Sequence, residues 1–192
     1  MLETNERRYD LKYLIENGMN SGEIKLIEPA IELKAEFLVM AEEFKAEGAE
    51  VINGVGCIEP GDFENSVKRN KEHVEGIGLP EGWVPASTYW LVRDGFLIGT
   101  CNLRHELNDF LKTYGGHIGY SVRRSQRNKG YGTQMLRFAL EKARDLGIKR
   151  ALVTCDDDNM ASARTIEKNG GKLADKVKTE YAEYLVRRYW IE

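Results

Sequence analysis

RRSQRNKGYGTQ, residues 123–134, is the stretch on which the fold turns. Arg123, Arg124, Arg127 and Lys129 crowd into seven positions, and Gly130 and Gly132 then bracket Tyr131. The strand-like run GHIGYSV (116–122) stands before it. After it, Met135, Leu136, Ala139, Leu140, Ala143 and Leu146 keep helical spacing, with Gly147 as the natural stop. A helix start offers free backbone N–H groups and the positive end of the dipole, which together form an anion site that needs no metal. Glycine at 130 and 132 removes side chains where a phosphate would approach the backbone, and the basic residues add local charge. The alternative is a solvated basic loop. RNKGYG matches neither GxxxxGK[ST] nor GxGxxG, so both common nucleotide fingerprints are absent.

At 192 residues, one well-filled core is the default. A formal charge of -3 argues against general nucleic-acid affinity. The opening MLETNERRYD carries no secretory signal, and no apolar run approaches the roughly 18 residues of a membrane span; a cytoplasmic protein with no membrane partner is expected. Cys57, Cys101 and Cys155 are an odd number without a CxxC, which fits a reducing compartment. Each sits in an apolar context and reads as a buried small hydrophobe rather than a nucleophile.

The remaining chain alternates helices and strands. A short helix over 7–16 ends at the Asn20-Ser21-Gly22 turn, and EIKLIE (23–28) reads as a strand. Leu33, Phe37, Met40, Ala41 and Phe44 then predict a helix that Gly48 stops, with Glu28, Glu32 and Glu36 complementing its dipole. Asp62 is placed to cap a helix over 63–73, and Glu75 to Pro85 is a loop long enough to line a cleft. STYWLV (87–92), a turn at Arg93-Asp94-Gly95 and FLIGTCNL (96–103) form a hairpin. HELNDFLKTYG is a short excursion before the strand at 116–122. ALVTC (151–155), the helix ASARTIEKN, LADKVK and YLVRRYWI complete the order. Alternation is only partial, so a mixed sheet with helices on both faces is expected.

Arg127-Asn128-Lys129-Gly130-Tyr131-Gly132 resembles the R/Q-x-x-G-x-G/A motif of the GCN5-related N-acetyltransferase superfamily, and stands in that family's strand-to-helix context. The LVTC strand, Asp158-Asn159-Met160-Ala161-Ser162 and IEKNGG follow in the family's order, so the resemblance covers most of 23–190. It implies an α/β fold with a mostly antiparallel mixed sheet, a splayed central strand and helices on both faces. Residues 1–22 would be an N-terminal extension, and 23–192 a single acetyltransferase domain.

The resemblance further implies acetyl-CoA as cosubstrate, without a metal, and direct transfer of its acetyl group to a primary amine. Ile118 to Val122 would be the splayed strand, with Tyr120, Ser121 and Val122 beside the pantetheine arm. Backbone groups of Arg127, Asn128, Lys129, Gly130, Tyr131, Gly132 and Thr133 would hold the pyrophosphate, with Asn159 and Ser162 facing the cofactor. Asparagine before a helix is also a good N-cap. Many members carry a tyrosine that protonates the leaving sulfur, where this chain has Ile166. Either another residue serves, or the thiolate leaves with help from solvent.

Direct transfer needs no covalent nucleophile, in keeping with the lack of a Cys-His or Ser-His constellation. His117, Glu106, His105 and Tyr120 are the candidates for proton handling. Within the strand, His117, Gly119 and Ser121 share one face and Ile118, Tyr120 and Val122 the other. Trp83, Tyr89, Trp90, Phe110 and Tyr114 are core or acceptor-pocket aromatics, while Glu59, Asp62, Glu64 and Glu81 are surface charges or carboxylates for a cationic amine. A small-molecule amine, an amino acid, an antibiotic and a protein N-terminus all remain open as acceptors. A catalytically weak coenzyme A-binding module is the alternative function. A nucleic-acid role is disfavoured, because Glu141 and Asp145 interrupt the basic span from Arg123 to Arg150. The C-terminal strand offers an edge for a homodimer.

Overall fold

The structure, a computed structural model, describes residues 22–48 and 62–192. The helix expected over 7–16, and Cys57 and Glu59, lie outside the described residues. Strand β1 (Ile24–Ile27) leads through a 3-10 turn (Ile31–Leu33) into helix α1 (Lys34–Ala46). Leu33, Phe37, Met40 and Phe44 are buried, as their spacing predicts, and join Phe63 and Val67 of helix α2 (Phe63–Val74) against Trp90, Val92 and Leu97. Asp62 precedes α2, but its carboxylate takes hydrogen bonds from the Asn65 and Arg69 side chains in place of the backbone cap.

Strands β2 (Ala86–Arg93) and β3 (Phe96–Arg104) form the expected hairpin. Asp94 and Gly95 both take positive φ, 51° and 75°, giving the two-residue turn whose twist suits the flanking strands. A short helix α3 (Asp109–Thr113) interrupts the path to β4 (Ile118–Val122). Helix α4 (Tyr131–Asp145), β5 (Ala151–Asp156), α5 (Met160–Lys168), β6 (Lys172–Val177) and β7 (Val186–Ile191) follow.

The expected α/β fold with helices on both faces is present, but its strands divide into two sheets, ordered β1-β2-β3-β4 and β5-β7-β6. Every pairing within them is antiparallel. Helices α4 and α5 cover one face: Met135, Leu136, Ala139, Leu140, Ala143, Ala163 and Ile166 pack on Leu91, Ile98, Cys101, Leu103, Ile118, Val153 and Tyr189. Helices α1 and α2 cover the opposite face of the first sheet.

The two sheets meet at one junction, between the start of β4 and the start of β5. His117 donates its N–H to the Leu152 carbonyl at 2.7 Å, and its Nδ1 accepts the Leu152 N–H at 2.9 Å. Gly116 takes φ +61°, and a Cβ there would stand 2.5 Å from the Leu152 oxygen, so only glycine permits this approach. Arg104 Nη1 fixes the same corner by donating to the carbonyls of Gly115 and Gly116. Beyond it no ladder joins β4 to β5.

Arg123 closes the other end of β4. It is 2% exposed, and its guanidinium reaches Glu36 at 3.2 Å, Glu43 at 2.5 Å and the Leu97 carbonyl at 3.1 Å. Its N–H donates to Ile98 and its guanidinium lies over the Phe96 ring. A charge this deep persists only when fully paired.

Two expectations follow. Arg123→Met would leave Glu36, 3% exposed, without its cation, and should lower the unfolding free energy in urea by about 3–5 kcal/mol. Acid should weaken the fold in two stages. Burial, then the Arg104 guanidinium, holds the His117 imidazole below its ordinary value, so its contribution is lost as pH falls through 6.5, where the unfolded chain takes up the proton first. Burial raises the Glu43 carboxyl, but the hydrogen bonds from Arg123 and Ser125 outweigh it and hold the group low. Its contribution is present above pH 4.5 and is lost as pH falls below that value. Urea titrations across this range should resolve both stages, and His117→Asn should diminish the upper one, to which His73 and His105, also held low by burial, contribute the rest.

Candidate active site

The loop from Arg123 to Gly130 does not spend its positive charge as its composition implies. Arg123 is buried, so the expectation that it adds free charge is corrected. Arg127 pairs both terminal nitrogens with the Glu47 carboxylate at 2.7 Å and donates Nε to the Val122 carbonyl. Lys129 Nζ folds back onto Ser125 O and Gln126 Oε1. Glu43 also receives the Ser125 N–H and hydroxyl. Glu36, Glu43 and Glu47 of the α1 side thus hold the loop in shape.

The loop presents backbone instead. The Arg127 N–H is taken by Arg124 O, and the first α4 bond runs from Gln134 N–H to Gly130 O. Between them, the N–H groups of residues 128–133 meet no protein acceptor among the described residues. Asn128 and Gly130 take positive φ, 62° and 82°, which turns the chain so that these donors converge ahead of α4. A Cβ at Gly130 would meet nothing within 4 Å, so the surface above it is open.

The unladdered edge of β4, at Tyr120, Ser121 and Val122, leads from this loop towards the His117 junction. Tyr120 reaches from β4 to α5, where its hydroxyl and Ser162 Oγ stand 2.9 Å apart. Burial pushes the Tyr120 hydroxyl up to about 12. A Cβ at Gly132 would lie 3.8 Å from the Tyr120 ring and 3.7 Å from Thr165 Oγ1, an ordinary contact. Asn159 Oδ1 accepts the Ser162 N–H and so caps α5. Tyr131 and Thr133 open α4, where the Tyr131 hydroxyl accepts from Arg93 and the Thr133 carbonyl from Asn169.

The candidates for proton handling are scattered. His117 is buried, and its Nδ1 serves the β4–β5 junction in the manner of a backbone acceptor. His105 Nε2 lies 2.8 Å from Ser87 Oγ, and Glu106 beside it is exposed. Of the four, Tyr120 alone bridges the opening. Ile166 is fully buried in the main core, one helical turn from Ser162. Cys101 and Cys155 are buried free thiols, pushed by burial up to about 12 and about 11, which makes both poor nucleophiles at neutral pH.

The acceptor candidates also separate. Trp90 is core, stacked on Phe37 at 5.3 Å, and Tyr89 packs on the main cluster. Trp83 is exposed against His73, and Phe110 and Tyr114 lie together on α3. Glu64 pairs with Lys34 and Asp62 with Arg69, while Glu81 is exposed on the 75–85 loop. Asp156, at the end of β5, was not singled out from the sequence. Its signal was alternation: apolar Val153 and Cys155 face the helices, leaving Thr154 and Asp156 on the opposite face.

The family description "Acetyltransferase (GNAT) domain" matches residues 57–172. No curated protein matches the sequence. Among solved structures, the chain is similar to the microcin self-immunity acetyltransferase MccE, solved with acetyl-CoA and AMP, at 19% identity over 88% of this chain and 91% of that one, TM-score 0.64. It is also similar to a Salmonella typhimurium acetyltransferase that modifies the N-terminal serine of a 50S ribosomal subunit protein, at 18% identity over 87% and 93%, TM-score 0.62. A putative GNAT-family acetyltransferase from Bordetella pertussis aligns at 12% identity over 91% and 98%, TM-score 0.63. At such identities the shared property is the fold. With the family match spanning more than half of its length, the chain belongs to the GNAT acetyltransferase family and is an acetyl-transferring enzyme.

Proposed function

We propose that this chain carries an acetyl group from acetyl-CoA directly to a primary amine, in one domain running from residue 23 to residue 192. The observation behind this is the run of backbone N–H groups at 128–133, which meet no protein acceptor among the described residues and stand next to the edge of β4 that parts from β5. In this role the N–H groups hold the pyrophosphate, assisted by the α4 dipole. Tyr120, Ser121 and Val122 border the pantetheine arm. Asn159, with Oδ1 spent on the cap, has its amide nitrogen left to face the same arm.

Direct transfer requires the amine nitrogen close to the thioester carbon, a donor for the developing oxyanion and a stabilised leaving thiolate. A backbone N–H on the β4 edge supplies the oxyanion donor. With Ile166 in the core, the Tyr120 hydroxyl is the group placed to meet the departing sulfur. Its pKa, raised by burial to about 12, stands above the roughly 8.5 of an ordinary thiol. Tyr120 therefore serves as a hydrogen-bond donor that steadies the thiolate; the attacking amine gives up its proton to solvent, and solvent returns one to the sulfur.

Isothermal calorimetry should show one-site binding of acetyl-CoA, with ATP much weaker. Gly130→Asp puts a carboxylate where the pyrophosphate is held, at φ +82°, and should weaken acetyl-CoA by about 100-fold or more. Unchanged affinity in a folded variant would refute the cradle. Tyr120→Phe should lower kcat by about 10- to 100-fold, the worth of one hydrogen bond to a charged group, with acetyl-CoA affinity little altered. Thiol release measured against acetyl-CoA concentration separates the two effects.

A further inference from the structure

The face of β5 turned away from α4 and α5 carries a second set of groups with no part in cofactor binding. Leu152, Thr154 and Asp156 lie on it, since Ala151, Val153 and Cys155 point into the helix-side core. Helix α3 borders this face: the Gly115 N–H, just past α3, donates to Thr154 Oγ1 at 3.0 Å. The connection between β6 and β7, residues 178–185, borders it from the other side, with the Leu185 carbonyl accepting the Asp157 N–H. The two borders touch through aromatic rings. Phe110 meets Tyr181 edge-on at 4.7 Å and Tyr114 at 5.8 Å. Phe110 and Tyr181 stay 41% and 50% exposed despite these contacts.

The carboxylates here are unequal. Asp157 is paired with both Arg187 and Lys176, and Asp175 with Arg188. Asp156 is half-buried and has no side-chain hydrogen bond or ion pair among the described residues. Burial and the nearby Asp158 push its carboxyl up, and Tyr114 lies close enough to sense its charge. The other polar groups are engaged: Thr154 accepts from Gly115, and Arg188 holds Asp175 and the Lys112 carbonyl. What is left for a ligand is a wall of rings and one carboxylate. An amino group on a flat apolar body satisfies both, through a charge-assisted hydrogen bond and ring contacts. A carboxylate beside that amino group would meet Asp156 and Asp158 at once.

Resting on the acetyl transfer proposed above, we propose that the acceptor is an arylalkylamine lacking an adjacent carboxylate, bound on this face with its amino group at Asp156 and its body against Phe110, Tyr114 and Tyr181. The rings select the body, and Asp156 selects against amino acids.

The test compares phenethylamine, phenylalanine and a serine-initiated hexapeptide as acceptors, read by thiol release with saturating acetyl-CoA. Phenethylamine should be the best of the three. Asp156→Asn should raise its KM by roughly tenfold, the worth of one charge-assisted hydrogen bond, and narrow its advantage over phenylalanine. Tyr181→Ala should raise the same KM without changing the discrimination against phenylalanine. Calorimetry on each variant keeps the two proposals apart. A wild-type protein that fails to bind acetyl-CoA overturns the transfer proposal itself. One that binds acetyl-CoA yet prefers phenylalanine or the peptide, or acetylates none of the three, overturns only the acceptor assignment. So does an Asp156→Asn protein with normal acetyl-CoA affinity and an unchanged KM for phenethylamine.

Discussion

The buried guanidinium of Arg123 is the interaction on which the rest of the site depends. It sits at the end of β4, where the chain leaves the sheet for the loop ahead of α4, and ties that point to Glu36 and Glu43 of α1 and to the Leu97 carbonyl of β3. Removing a charge from water at this depth is costly, so the arrangement exists only with every partner in place. That requirement fixes α1 against the sheet edge. It also fixes where the loop begins, and Glu43 and Glu47 then fix its course through Ser125 and Arg127. The loop's charge is largely consumed in building the cradle. In the proposed role, the backbone donors at 128–133 and the α4 dipole are left to attract the anion.

At the opposite end of β4, the His117 imidazole, the Gly116 backbone and Arg104 clamp the strand to Leu152. The strand is pinned at both ends, with one edge laddered to β3 and the other joined to β5 at its start, and it parts from β5 beyond that point. The opening is thus maintained by its boundaries, not by anything inside it. Tyr120 crosses the opening to α5 on the helix side, whereas Thr154 and Asp156 face away from the helices. In the proposed reaction one pair of strands separates two tasks, with phosphate and thioester on the helix side and the amine on the other.

Much of the fold was legible in residue spacing. The apolar periods of α1 and α4 met the faces they indicated, except at Leu146, which lies just past α4 and is exposed; the Asp94-Gly95 turn closed its hairpin, and Cys101 and Cys155 proved to be buried thiols. The glycine-bracketed Tyr131 at a strand-to-helix transition marked where α4 begins. The same local pattern misdescribed its arginines, because their partners lie about 80 residues earlier in the chain. His117 looked like a base by residue type, yet its ring completes a backbone pairing with Leu152. Asp62 looked like a cap, yet it binds side chains.

Sequence alone determined the element order over the described residues, most of the core faces and the turn ahead of α4, since these follow from short-range periodicity, helix-end chemistry and the conformational freedom of glycine. Tertiary structure decided which charges are free. Arg123, Arg127, Asp157 and Asp175 are neutralised by partners distant in sequence, and Asp156 has none among the described residues. The physical reason is that Coulomb pairing and desolvation depend on separation in space. Two carboxylates adjacent in the sequence, Asp156 and Asp157, therefore lie on opposite sides of that division.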